Sequence, residues 1–195
     1  MERLKRIIFC ICMVIFSCLA YAQNDFCTAR NTSFKEGEKL TFKVFYNMSF
    51  IWIHAGNATF TTVLEDLNGH KVYHITGDGK TASSYEWFYK VKDKYQTYID
   101  VASMAPDRFI RDVHEGSTKF TQDVWFSHQK GTAISRNKAY SITKCTQDVL
   151  SAIYFARNID YNKYNTGDRI PFNMFLDDKL YSLYLSQQRR HFQIL

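Results

Sequence analysis

The segment Gly77-Asp78-Gly79-Lys80-Thr81 contains the residue types that come nearest to a recognisable chemistry in this chain. Gly-Lys-Thr between a strand and a helix cradles phosphates with backbone N–H groups, provided that a further glycine five positions earlier turns the backbone around them. That position is His74, so the segment is read as a turn and no nucleotide or other cofactor is expected. His70 and His74 invite a metal reading, but residues four apart on a strand lie about 13 Å from each other, and one ion cannot bridge them. His54, His114, His128 and His191 have no Cys, Asp or Glu at a known zinc spacing, so no metal ligand is assigned. Ser151 lies outside any Gly-x-Ser-x-Gly elbow. Asp93, Asp100, Asp112, Glu115, Asp177 and Asp178 have the chemistry to pair across strands as acid and base. Most of them stand at turns or beside basic residues, where solvation and ion pairing account for them. No catalytic residue is assigned, and a non-enzymatic protein is expected. Asn31, Asn47 and Asn57 fit the Asn-x-Ser/Thr acceptor pattern, which matters only in a eukaryotic secreted protein.

The remaining reactive side chains are cysteines, and their number depends on where the chain goes. Arg3, Lys5 and Arg6 precede an apolar run from Ile7 to Leu19, which is followed by Ala20-Tyr21-Ala22. A basic head, an apolar core too short to span a bilayer comfortably and a small-x-small site make a secretory signal peptide over residues 1–22. A lipoprotein signal ending at Cys18 is the alternative, disfavoured by the bulk of Phe16. Export to the periplasm or the periplasmic face of the envelope is expected. Cleavage leaves Cys27 and Cys145 of the five cysteines, in a compartment that permits oxidation. One disulfide is the natural reading and two unpaired thiols the alternative.

The chain from Gln23 to Leu195 is long enough for one domain with a substantial core, and it holds no second apolar run of membrane-spanning length. Its 22 basic and 18 acidic residues (25 less 3, and 19 less 1) leave a net charge of +4. The two signs are interspersed, as in Lys35-Glu36 and Arg111-Asp112, which gives no phosphate-tracking stripe and excludes a nucleic-acid partner.

An aromatic content of 16% with only two prolines favours pleated structure. Leu40, Phe42, Val44 and Tyr46 alternate as one face of a strand. Phe50 to Val63 reads as a second strand, interrupted at Ala55-Gly56-Asn57 by a bulge or close backbone approach. Asn68-Gly69 signals a hairpin into His70 to Thr76. Ser83 to Phe88 reads as one serine-capped helical turn before a strand over Tyr95 to Asp100. Arg108 to Val113 and Lys119 to Phe126 pair around Glu115-Gly116, Gln129-Lys130-Gly131 leads into Thr132 to Arg136, and Asp177-Asp178 joins two final strands. One helix is expected over Thr146 to Arg157, capped by Thr146, with Asp148 in its first turn and Val149, Leu150, Ile153, Tyr154 and Ala156 as its apolar face. The last strand runs into Gln187 to Leu195 without a turn or partner, as a truncated chain would.

Cys27-x-x-x-Asn31-x-Ser33-Phe34-x-x-Gly37-Glu38-x-Leu40, then Tyr46-Asn47 and Ile51-Trp52-x-x-Ala55-Gly56, resembles the opening of the bacterial domain of unknown function 3108 family as found in Bacteroidetes. Gly79-Lys80-Thr81, Trp87-Phe88-Tyr89-x-Val91-x-Asp93, Pro106, Arg111-Asp112, Glu115-Gly116 and Cys145-x-x-Asp148-Val149-Leu150-Ser151-x-x-Tyr154-Phe155-x-Arg157 are similar to its later blocks. The resemblance implies an exported, mainly antiparallel β protein with one helix, and it carries no catalytic residues. Both cysteines fall in matched blocks, in keeping with a disulfide.

The expected fold is mainly β: a curved antiparallel sheet or incomplete β-barrel with one packed α-helix. Such a sheet offers a cavity for a lipid or other hydrophobic ligand, with Trp52, Phe60, Tyr85, Trp87 and Phe88 as candidate lining residues. Core packing is the alternative role for each. A rival reading is an assembly factor that pairs with an envelope protein through a sheet edge. A hydrolase and an outer-membrane barrel fit less well, the barrel because Arg108, Arg111 and Asp112 leave one strand no clean lipid-facing side.

Overall fold

The computed structural model describes Cys27 and residues 30–48 and 51–186; the expected signal segment 1–22 and the stretch 187–195 lie outside the described residues. Eight strands run in chain order through one antiparallel sheet: β1 (Lys39–Met48), β2 (Ile51–Leu67), β3 (His70–Thr81), β4 (Lys92–Asp100), β5 (Pro106–Glu115), β6 (Thr118–Ser127), β7 (Thr132–Ser135) and β8 (Lys138–Ser141). β1 and β8 are the edges, so the sheet is not closed into a barrel. A helix, α1 (Val149–Arg157), and a separate hairpin, β9 (Arg169–Leu176) with β10 (Lys179–Ser186), complete the fold. This is the expected mainly β architecture with one packed helix.

Register determines which residues share a face, because directly opposed residues on neighbouring strands point the same way. One row runs Thr62, Ile75, Thr97, Phe109, Val124 and Ser135. All six are buried. Above this row sits α1: the Thr97 hydroxyl donates to the Asp148 carboxylate at 2.6 Å, and the Tyr154 hydroxyl lies 3.5 Å from that of Thr62. The next row, Leu40, Phe60, Gly77, Tyr95, Arg111 and Gln122, receives the tip of the β9–β10 hairpin. Arg111 pairs with Asp177, and Gln122 donates to Asp178 at 2.8 Å. Helix and hairpin thus cover the same, inner face. Under the hairpin, Phe109, Val124, Phe126, Ala133, Ile142 and Phe175 form one core cluster. Under the helix, Phe34, Ile75, Ile99, Met104 and Tyr154 form another.

The turns follow from backbone chemistry. Asn68 and Gly69 both take positive φ (52° and 90°), as a two-residue hairpin requires, and Asp177 and Asp178 do the same between β9 and β10. The expected irregularity in β2 is a bulge: Val44 pairs with Gly56 and Phe45 with His54, leaving Ala55 without an opposite residue. A Cβ on Gly56 would lie 2.4 Å from the Lys80 carbonyl oxygen, so only glycine permits that backbone approach.

Four expectations are corrected. Gly77-Asp78-Gly79 is not a turn but part of the second half of β3, and Gly77 has a packing reason: a Cβ there would meet the Leu150 and Phe60 side chains at 3.2 Å. Ser83 does not cap a helical turn; Ser83–Tyr85 is a 3-10 turn that follows Ala82 and has no side-chain cap. β7 is followed by a further strand, β8, because Arg136 and Asn137 both take positive φ and reverse the chain. The helix cap is Asp148 rather than Thr146, whose hydroxyl instead donates to the Thr143 carbonyl at 2.8 Å. Asp148 accepts from the Leu150 and Ser151 N–H groups while the Ser151 hydroxyl reaches back to the Asp148 N–H. That reciprocal box starts the helix at Val149. Of the expected apolar face, Leu150 and Tyr154 are buried and Ile153 is exposed.

Complete burial pushes the Asp148 carboxyl up to about 6, against the opposing hydrogen bonds from Thr97, Ser151 and Leu150. Between its ordinary value and about 6, the folded chain holds a proton that the unfolded chain releases. Stability therefore falls as pH rises through that window, by at most roughly 3 kcal/mol. Urea titrations between about pH 4 and about pH 7 are expected to show this decline, and Asp148→Asn, which keeps the cap acceptor without the charge, is expected to flatten it.

Candidate functional site

Among the described residues, α1 and the hairpin cover the inner face only in part. Beyond the Gly77 row, the next row runs Phe42, Ala58, Gly79, and the one after that Val44, Gly56, Thr81. Leu150 lies over Gly77, but a Cβ on Gly79 would meet no atom within 4 Å. Phe42 and Phe60 stand edge to face with ring centroids 5.8 Å apart on one side of Gly79, and Phe42 is 51% exposed. On the other side is Asp93, directly opposite Gly79, its carboxylate accepting from the His114 N–H at 2.8 Å. The result is an open trough with a floor of small residues and a wall of phenyl rings.

This trough opens toward one end of the sheet. There, Ile51 to Ala55 and their β1 partners run past the last β2–β3 pair, Gly56 with Thr81, as a two-stranded arm. The segment 82–91 between β3 and β4 folds beside the arm, tied to it by the Ala82 N–H and the Ala55 carbonyl at 2.8 Å. Trp52 on the arm is 68% exposed, and Trp87 and Phe88 on the segment are 83% and 77% exposed. Phe45, Tyr46, Tyr85 and Tyr89 are exposed around them. Trp87 meets Phe88 edge to face at 5.9 Å, and its indole N–H donates to the Ser84 carbonyl at 3.0 Å.

Of the five residues read as candidate lining, Phe60 is partly buried in the trough wall, and Trp52, Tyr85, Trp87 and Phe88 are gathered at the exposed end. The high exposure of Trp52, Trp87 and Phe88 leaves them no core-packing role among the described residues, whereas Tyr85 is 39% exposed. Phe42, Val44 and Gly79 share the inner face, whereas Trp52, opposite Asn47, stands on the other face of the arm. The alternation of Leu40, Phe42, Val44 and Tyr46 marks an apolar strand face, but alternation cannot tell a covered face from a bare one.

A second cluster lies at the opposite end, in a cleft of about 420 Å³ lined by His70, Asp100, Asp107 and His128 among others. His70 Nε2 is 2.7 Å from an Asp107 oxygen and 3.9 Å from an Asp100 oxygen. The three side chains offer donor atoms within 4.8 Å of one another, a set and spread with which a divalent cation can be held. The Asp107 hydrogen bond holds the His70 imidazole above its ordinary pKa, while burial pushes the Asp107 carboxyl up and the His128 imidazole down. His128 Nε2 lies 2.8 Å from the Pro106 carbonyl and therefore donates to it. Nδ1 of the neutral ring is then an acceptor, buried and without a partner among the described residues. These residues come from three different strands and a turn, which is why no local spacing announced them.

Cys27 and Cys145 form a disulfide with Cα atoms 5.6 Å apart. Of the carboxylates read as candidates, Asp93 and Glu115 come together, and burial and then the Asp93 charge push the Glu115 carboxyl up; the other candidates are engaged elsewhere. Ser151 is spent on the helix cap, Asp112 pairs with His114, and Asp177 and Asp178 engage Arg111 and Gln122. Asn31 accepts from the Ser33 and Phe34 N–H groups, and Asn57 bonds to His54. Among the described residues, no helix is long and apolar enough to cross a membrane.

No curated protein and no solved structure matches the chain. Residues 41–191, which take in the sheet, the helix, the β9–β10 hairpin and both ends described above, match the family model described as "Protein of unknown function (DUF3108)". The chain belongs to that family.

Proposed function

We propose that this protein is an exported, non-enzymatic envelope protein that holds a lipid or other hydrophobic ligand against the uncovered inner face of its sheet. The carrying observation is the trough at Gly79: an apolar wall from Phe42 and Phe60 facing Asp93, open space where a Cβ on Gly79 would stand, and exposed aromatic residues at the adjoining end of the sheet. Apolar surface that no described element covers marks a binding site more often than a packing accident. The signal segment at residues 1–22 and the Cys27–Cys145 bridge support placing it in the periplasm, where disulfides persist.

The open space gives the reading a specific test. A Cβ at Gly79 meets no atom within 4 Å, so Gly79→Leu is expected to fill the trough, retain the fold and exclude the ligand. Titration with a fluorescent fatty acid is expected to show saturable binding to the wild-type chain and a loss of at least about tenfold in the variant, since a buried leucine's worth of contact is forfeited. Equal binding by both sinks the reading.

An assembly role through the β1 edge has one observation in its favour, the exposed Phe45 and Tyr46 on that edge strand. Lys39 and Lys43 on the same strand are the kind of charge that blunts edges against pairing. Recovery of the chain crosslinked to a defined envelope protein, with no lipid, is the result that would favour assembly instead.

A further inference from the structure

On the face of the sheet opposite the trough, Lys43 stands opposite Asn57, Asn57 opposite Lys80, and Lys80 opposite Lys92. The row crosses four strands, about 14 Å at the usual strand spacing. All three lysines are exposed, and none makes an ion pair with a described residue, unlike Lys71, Lys90 and Lys163. The nearest carboxylates on that face, Asp78 and Asp112, flank Lys94 in the neighbouring row. Like charges directly opposite on adjacent strands oppose sheet pairing, so Lys80 facing Lys92 does nothing for the fold. Edge protection does not explain it either, because β3 and β4 are interior strands.

The row lies at the same end of the sheet as Trp52, Trp87 and Phe88. Exposed indole and phenyl groups beside unpaired lysines are the composition of a membrane–water interface anchor: amphipathic rings enter the headgroup layer, and ammonium groups meet lipid phosphates. We propose that this end of the sheet docks onto an anionic lipid bilayer, with Trp52, Trp87 and Phe88 entering the headgroup region and Lys43, Lys80 and Lys92 pairing with lipid phosphates. The inference deepens the lipid-carriage reading and rests on it for the purpose of docking, which brings the end of the sheet nearest the trough to the bilayer.

The test is flotation of the full chain with vesicles of phosphatidylcholine alone or mixed with phosphatidylglycerol, wild type and variants prepared alike so that any contribution of residues 1–22 cancels. The wild type is expected to float with the anionic vesicles and to be released by salt. Joint replacement of Lys43, Lys80 and Lys92 by glutamine is expected to weaken binding about a hundredfold. Trp87→Ser with Phe88→Ser is expected to reduce flotation without lowering the melting temperature, because both side chains are exposed. Lys80→Glu separates docking from structure: it places opposite charges face to face with Lys92, so it raises thermal stability while lowering vesicle affinity. Equal flotation with neutral and anionic vesicles, or an unchanged affinity in the triple lysine variant, overturns the proposal. The fatty-acid titration fails independently. Gly79→Leu that still floats but binds no fatty acid upholds docking and carriage together, whereas wild type that binds fatty acid and never floats overturns docking alone.

Discussion

Reduction of the Cys27–Cys145 bridge, or replacement of both cysteines by serine, is expected to lower the unfolding free energy by about 4 kcal/mol and the melting temperature by roughly 10 °C. The bond closes a loop across a sequence separation of 118 residues, which removes much conformational freedom from the unfolded chain. It also anchors a strap. After Cys27 the chain passes Asn31 and Phe34, and Phe34 is buried under the helix. Arg157 at the end of α1 then clamps this segment, binding both oxygens of Glu38 at 2.7 and 2.8 Å and the Ser33 carbonyl at 3.0 Å. The Asn158 side chain accepts from the Thr32 and Ser33 N–H groups. These contacts survive reduction, so the reduced protein is expected to stay folded at moderate temperature while melting earlier. Coincident melting curves with and without reductant would contradict the assignment of a stabilising bridge.

Tyr154→Ala is expected to cost about 4 kcal/mol, within the range for deleting a buried aromatic ring. Tyr154 is 1% exposed. Its ring meets Phe34 edge to face at 4.8 Å, packs with Ile75 and Ile99, and lies 4.9 Å below the Arg157 guanidinium. Truncation therefore empties the point where helix, strap and sheet converge. Tyr154→Phe should lose no more than about 1 kcal/mol, because the hydroxyl contact with Thr62 is long at 3.5 Å. Urea midpoints for the two variants measure the difference. Equal destabilisation by both would move the stabilising role from packing to the hydroxyl.

The parts of the fold readable from sequence were those whose cause is local. Asn68-Gly69 and Asp177-Asp178 announce hairpins because short polar residues and glycine accept positive φ. The Arg136-Asn137 reversal was missed because arginine carries no such signal. Gly77 and Gly79 were misread for the converse reason: glycine types signal a turn, whereas here one gives way to Leu150 and the other leaves open space in an extended strand. Two polar residues two apart, Thr146 and Asp148, both had cap chemistry, and tertiary contact with Thr97 decided between them.

At the candidate sites the limit was different. Trp52, Tyr85, Trp87 and Phe88 stand out by type, but whether a ring faces core or solvent depends on what covers it. His70, Asp100 and Asp107 meet only because three strands and their turns end at one place. The Lys43, Lys80 and Lys92 row exists only in register, since in the chain these residues look like three more members of a mixed-sign surface.

The central claim, that the open inner face carries a hydrophobic ligand, is tested most directly by native mass spectrometry of the protein recovered without detergent from the envelope of its own cell. The expected result is a chain carrying a lipophilic adduct that solvent extraction removes and that Gly79→Leu lacks. Bare wild-type protein, or an adduct retained unchanged by the Gly79→Leu variant, would contradict it.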